Sequence, residues 1–128
     1  MKLSPNQMDE TFLSHLGEEV ALLLAKGDFQ TIADRFGYAL AFERSPATAI
    51  EEDLHACFSE FESLPTHRNP ARGSIVVKYF NQNDPGLYAV VECVFFAAKG
   101  CPVLAELIVT SDGEDKCVSL EQISQAEV

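Results

Sequence analysis

The chain has 128 residues, of which 47% are hydrophobic and 23% charged, a length and balance that suit one domain with a sizeable core. Its 20 Asp and Glu against 9 Lys and Arg give a net charge of −11. Such a chain repels phosphate backbones and anionic bilayer surfaces, which argues against nucleic acid or a membrane as a partner.

The first residues, MKLSPNQMDE, hold one Lys with no apolar core behind it, and the run VALLLA ends at Lys26 after six residues. Neither reads as a signal or a span, so a soluble, cytoplasmic protein is expected. Ser4 and Pro5 predict a helix start: Ser4 as cap, Pro5 at the first helical position and Gln7 completing a capping box. Met8, Phe12, Leu16, Val20, Leu23 and Leu24 then recur at helical spacing as one apolar stripe.

Gly27 is suited to end that helix in the left-handed conformation, and Asp28 to cap a second, shorter one carrying Phe29, Ile32, Ala33 and Phe36. Gly37 closes it. YALAF, Tyr38 to Phe42, reads as a short apolar strand. Ser45-Pro46 repeats the start signal, and Ile50, Leu54, Cys57, Phe58 and Phe61 mark a third helix reaching Glu62, with Glu51, Glu52 and Asp53 near its positive end.

Beyond the turn-rich segment Ser63 to Gly73 the pattern changes. Four strand-like runs follow, Ser74 to Phe80, Leu87 to Ala98, Val103 to Thr110 and Cys117 to Leu120, joined by NQNDPG, KGCP and SDGED. Short connections imply an antiparallel meander, and the closing SQAEV is expected to fray. Helices first and sheet second is an α+β pattern. The four cysteines, Cys57, Cys93, Cys101 and Cys117, show no metal-ligand spacing and read as buried reduced thiols; no metal or cofactor is expected.

The order of a long helix, AKGDFQTIADRF, a short strand, a helix opened by SPATAIEEDL and a meander containing AELIVTSDGEDKCVSLEQI resembles the nuclear transport factor 2-like superfamily, which includes ketosteroid isomerases and SnoaL-like cyclases. The likeness runs over nearly all of a single 1–128 domain, with a core of about 7–123. It implies three N-terminal helices packed on a strongly curved, mostly antiparallel sheet, a cone with an internal cavity lined by Phe12, Leu16, Val20, Phe36, Phe58, Phe95, Leu104 and Ile108. The break at Gly27 and Asp28 is then the bend that lets two helices wrap the cone.

Ketosteroid isomerases use a Tyr and a protonated Asp as an oxyanion hole beside an Asp base. On this chain the Tyr position falls on Val20, the base position on Glu43 or on Arg44 depending on one deletion, and the late acid at or beside Glu106. With one donor missing, that isomerase chemistry is not supported. Glu106 still stands out, because VLAELIV sets a lone carboxylate among six apolar residues. It must be neutral, paired or wet. It reads either as a cavity acid or ligand anchor, or as the partner of Lys78, Arg72 or a hydroxyl, or as a side chain simply exposed at the sheet surface. Glu92 in YAVVECVFF poses the same question, and alternation groups it with Tyr88, Val90, Val94 and Phe96. The parity of the KGCP loop decides whether the two carboxylates share a face; the assignment adopted is opposite faces, with Glu106 inside and Glu92 at an interface. A strand apolar on both faces further implies a homodimer through the sheet. Two functions follow: a site for a hydrophobic small molecule, with proton transfer, cyclisation or hydration at Glu106, or a non-catalytic dimeric module.

Overall fold

The computed structural model describes residues 1–4, 6–62, 73–81, 86–97, 100–112 and 115–126. The expectations placed on Pro5, on the turn-rich segment with Arg72, on the turn tips at 82–85, 98–99 and 113–114, and on the last two residues lie outside them. Two residues, Lys2–Leu3, form strand β1. The capping box forms only in part: the Ser4 N–H donates to Gln7 Oε1 at 3.0 Å, but the Gln7 N–H donates to the Ser4 carbonyl at 2.9 Å and Ser4 Oγ donates to Asn6 Oδ1, which makes an isolated turn. Helix α1 (Glu10–Lys26) starts later, where Asp9 accepts the Phe12 N–H at 2.7 Å. The early start fails because Leu3, only 5% exposed, is held extended in the sheet, which places the chain's turn between strand and helix.

Gly27 adopts φ 75° and donates its N–H to the last carbonyls of α1, and Asp28 caps α2 (Phe29–Phe36) through both the backbone and the hydroxyl of Thr31. The bend is thus built as the residues predicted. The expected strand YALAF is not one. Ala39–Ala41 form a 3-10 turn that ends at Phe42, φ 55°. A strand needs a ladder for its carbonyls; here the Arg44 guanidinium takes them, donating to Leu40 O at 2.6 Å and Ala41 O at 3.1 Å, while Ala41 packs into the core. Helix α3 (Pro46–Glu62) begins at its Ser-Pro signal, with Ser45 Oγ accepting the Thr48 N–H.

Strands β2 (Ser74–Tyr79), β3 (Leu87–Phe96), β4 (Pro102–Asp112) and β5 (Asp115–Gln125) run as an antiparallel meander, and β1 adds outside β5. The order β1-β5-β4-β3-β2 leaves an open five-stranded sheet, and the fold is α+β. Strand β5 extends well past the expected Leu120, because a bulge opposite Glu106 and Leu107 makes Glu121 an extra residue and hides the alternation that resumes at Ile123. The frayed end is corrected too: Ser124 and Gln125 pair with β4, and the Ala126 N–H donates to the Pro102 carbonyl at 3.0 Å.

Alternation divides the sheet into two faces. Ala89, Val91, Cys93, Val103, Ala105, Leu107, Val109, Val118 and Leu120 are buried on the face that meets the helices. There the Cys93 thiol reaches the Gly17 carbonyl of α1 at 3.4 Å and the Cys101 thiol the Cys57 carbonyl of α3 at 3.6 Å. A methyl group on Gly17 would stand 3.2 Å from Val91 Cγ1, so this glycine lets α1 seat directly on β3. Fully buried Leu13, Ile32, Leu107 and Leu120 each contribute about 1.5–3 kcal/mol through removal from water. Of the thiols expected to be buried, Cys117 is exposed, since its rung pairs it with Lys2 at the sheet edge.

Candidate functional site

The opposite face carries Val76, Val90, Val94, Leu104 and Ile108, none of them in the buried core. One rung crosses it from edge to edge: Val76 pairs with Glu92, Glu92 with Glu106, and Glu106 with Gln122. Directly opposed residues point the same way, so Glu92 and Glu106 share this face, contrary to the expected opposite faces. The reason is loop parity. Phe96 pairs with Pro102, leaving residues 97–101, an odd number, between them. Glu106 therefore faces away from the helices rather than into a space beneath them.

Burial, then the neighbouring charges of Glu92 and Glu121, raise the Glu106 carboxyl above its ordinary value, while a hydrogen bond with the Gln122 side chain and the more distant Lys78 act against the rise. Lys78 itself is engaged by Glu92, Nζ to Oε1 at 2.5 Å, and that bond holds its ammonium up. Alternation also placed Tyr88 beside Glu92. A bulge between Leu87 and Ala89 turns it instead toward Tyr79, ring centroids 5.8 Å apart, whose hydroxyl donates to the Met8 carbonyl on the helix side.

The eight residues expected to line one cavity are not brought together. Leu16, Val20 and Phe36 are buried within the core, Phe12, Phe58 and Phe95 pack half-buried against it, and Leu104 and Ile108 lie on the other face. Glu43 is exposed on the loop before α3, on the helix side, apart from Glu106. An open groove of about 690 Å³ runs between α1 and the β2–β3 edge, lined among others by Glu18, Leu22, Ile75, Phe95 and Phe96.

A second cluster escaped sequence reading. The Tyr38 hydroxyl donates to Asp53 Oδ2 at 2.5 Å, and Arg44 Nη1 donates to Asp53 Oδ1 at 3.0 Å. Burial first, then the bond to Asp53, pushes the Tyr38 phenol well above its ordinary range, so it holds its proton and donates it to Asp53, while the Ile123 backbone acts the other way. Tyr38, Arg44 and Asp53 are each visible in the sequence, but a strand over YALAF gives no reason to bring them together. Beside this clasp a small cavity of about 170 Å³ opens against Cys57, Glu60 and Ile123. Burial pushes the Cys57 and Cys93 thiols up to about 11, which keeps both unreactive as nucleophiles near neutral pH.

Among the described residues no group of three or more His, Cys, Asp or Glu side chains stands together in a way that could hold a metal ion. None of the described helices is long and apolar enough to cross a membrane. No protein-family model, no curated protein and no solved structure matches the chain.

Proposed function

We propose that the protein is a non-catalytic dimeric module in which two copies associate through the helix-free face of the sheet. The observation that carries this reading is the apolar set Val76, Val90, Val94, Leu104 and Ile108 spread over three adjacent strands on a face away from the helices. Charge favours a second copy as the occupant. On a chain of net charge −11, acidic side chains such as Glu10, Glu18, Glu19, Glu51 and Glu52 belong to the helices, whereas the centre of this face holds Glu92 in an ion pair with Lys78, with Glu106 and Glu121 beside it. Its carboxylates are fewer than those of the helices, and one of them is already paired. Size agrees: four strands about 4.8 Å apart, with about ten residues at about 3.3 Å each, span roughly 600 Å² per copy, or about 1,200 Å² for the pair, the lower edge of specific interfaces.

The nuclear transport factor 2-like cone remains the proposed frame. Three helices before the meander, with no described helix on the second face of the sheet, support it, and the 3-10 turn at Ala39–Ala41 departs from it. A second reading, a hydrophobic small molecule, draws on the groove beside Leu22, Phe95 and Phe96, whose volume falls within the usual range for ligand sites.

Light scattering at micromolar concentration tests the dimer and should give twice the 14.1 kDa chain mass. Ile108→Lys, which sets a charge in the middle of the face, and Glu92→Lys, which breaks the pair with Lys78, should both shift the protein toward monomer without loss of helix content. A monomeric wild type across that range refutes the reading. Native mass spectrometry of the same sample separates the second reading, since a retained apolar ligand would support it and a bare dimer the first.

A further inference from the structure

Strand β4 is the middle one of the five, and Glu106 lies near its midpoint, so any contact that covers the helix-free face covers Glu106. Leu104 and Ile108 flank it along the strand. Across the strands it meets Glu92 from β3, Lys78 of β2 reaching in through Glu92, and Gln122 and the bulged Glu121 from β5. Two carboxylates of one rung thus share a single ammonium, and that ammonium is already bonded to Glu92. The ion pair of Lys2 with Asp115 stands at the far end of β5 and does not relieve them. A second copy of the same face brings the same deficit, so in the pair the four carboxylates of the two rungs, with the two Glu121 side chains beside them, face two ammonium groups while water is expelled around them.

We propose that association through this face is proton-linked, Glu106 taking up a proton as the two sheets meet, so that the dimer tightens as pH falls through the upper carboxylate range. The inference rests on the dimer reading above. In the single chain the Glu106 carboxyl is already raised by burial and by its acidic neighbours, and covering it removes more water from the same group. The protonated form can donate to Gln122 or to a carboxylate across the contact, where the ionised form would stand unpaired among valine, leucine and isoleucine side chains.

Sedimentation velocity of the full chain at pH 5.5, 6.5 and 7.5 and constant ionic strength tests this, with every condition kept above the pI of about 4.5. The wild-type dimer Kd should fall at least about tenfold from pH 7.5 to 5.5, as uptake of up to one proton per copy allows. Glu106→Gln should dimerise tightly at all three values, its Kd changing less than about twofold. Glu51→Gln, an exposed change on α3, should keep the wild-type slope and controls for the general loss of negative charge. A flat wild-type Kd overturns the proposal while leaving the dimer intact, and so does a Glu106→Gln variant with the wild-type slope. Monomer at every pH in all three proteins overturns the dimer reading itself and the proposal with it.

Discussion

Replacing Glu106 by Gln should stabilise the fold at neutral and alkaline pH. The rung opposes Glu106 to Glu92 directly, and like charges so placed cost about 0.2–1 kcal/mol, part of which the Lys78 pair with Glu92 returns. A net relief of about 0.5 kcal/mol is therefore expected, or a rise in Tm of about 2 °C for a domain of this size. Because the folded carboxyl lies above its unfolded value of about 4.3, the native state holds more protons than the unfolded chain in the window between the two. Wild-type stability should fall as pH rises through that window and level off above it. The advantage of Gln should accordingly be full at pH 8 and vanish near pH 4, where both side chains are neutral. Thermal melts of both proteins at one fixed concentration and at pH 4, 6 and 8 measure it. A lower Tm for Gln at pH 8 would show that Lys78 and Gln122 hold Glu106 as a stabilised anion, and a difference that does not change with pH would show that its ionisation does not bear on the stability of the fold.

Two further outcomes concern the helix side. Asp53→Ala strands a buried Tyr38 hydroxyl and should cost about 1–3 kcal/mol, Tyr38→Phe about 0.5–1.5, and the double variant little more than Asp53→Ala alone, read by urea denaturation as a mutant cycle. Gly17→Leu drives a side chain into Val91 and Ile75 and should cost about 1–3 kcal/mol, seen as a lower urea midpoint at unchanged slope.

Local chemistry was legible where a residue acts on its own neighbours. Gly27, Asp28 and Ser45 set helix ends through bonds reaching three or four positions, and the four strand runs carry their own alternation. What failed depended on distant partners. Lys2–Leu3 is a strand only because Cys117 and Lys116 lie alongside, and no two-residue run announces that. YALAF has the composition of a strand but its carbonyls are met by Arg44 in place of a ladder. The face of Glu106 turned on the parity of one hairpin, a single residue that reverses every side chain beyond it. Tyr38 and Asp53 meet only because the 3-10 turn folds back on α3. Glu106 was therefore legible as a carboxylate on a central strand, whereas its neighbours and the face it occupies were not.

The division of the chain into helices first and sheet second has a consequence for how it is made. The apolar stripes of α1, α2 and α3 emerge from the ribosome before any of the meander that covers them, and 63 further residues, about 3–13 s of synthesis, separate the last helix from the end of β5. During that interval Leu16, Val20, Ile32 and Ile50 have only one another as shelter. The β1–β5 pairing, which joins Lys2 to Cys117, closes the longest loop in the molecule and must come last. Nascent chains of this protein should thus be bound by hydrophobic-segment chaperones while the helices wait, and released once β5 has left the ribosome.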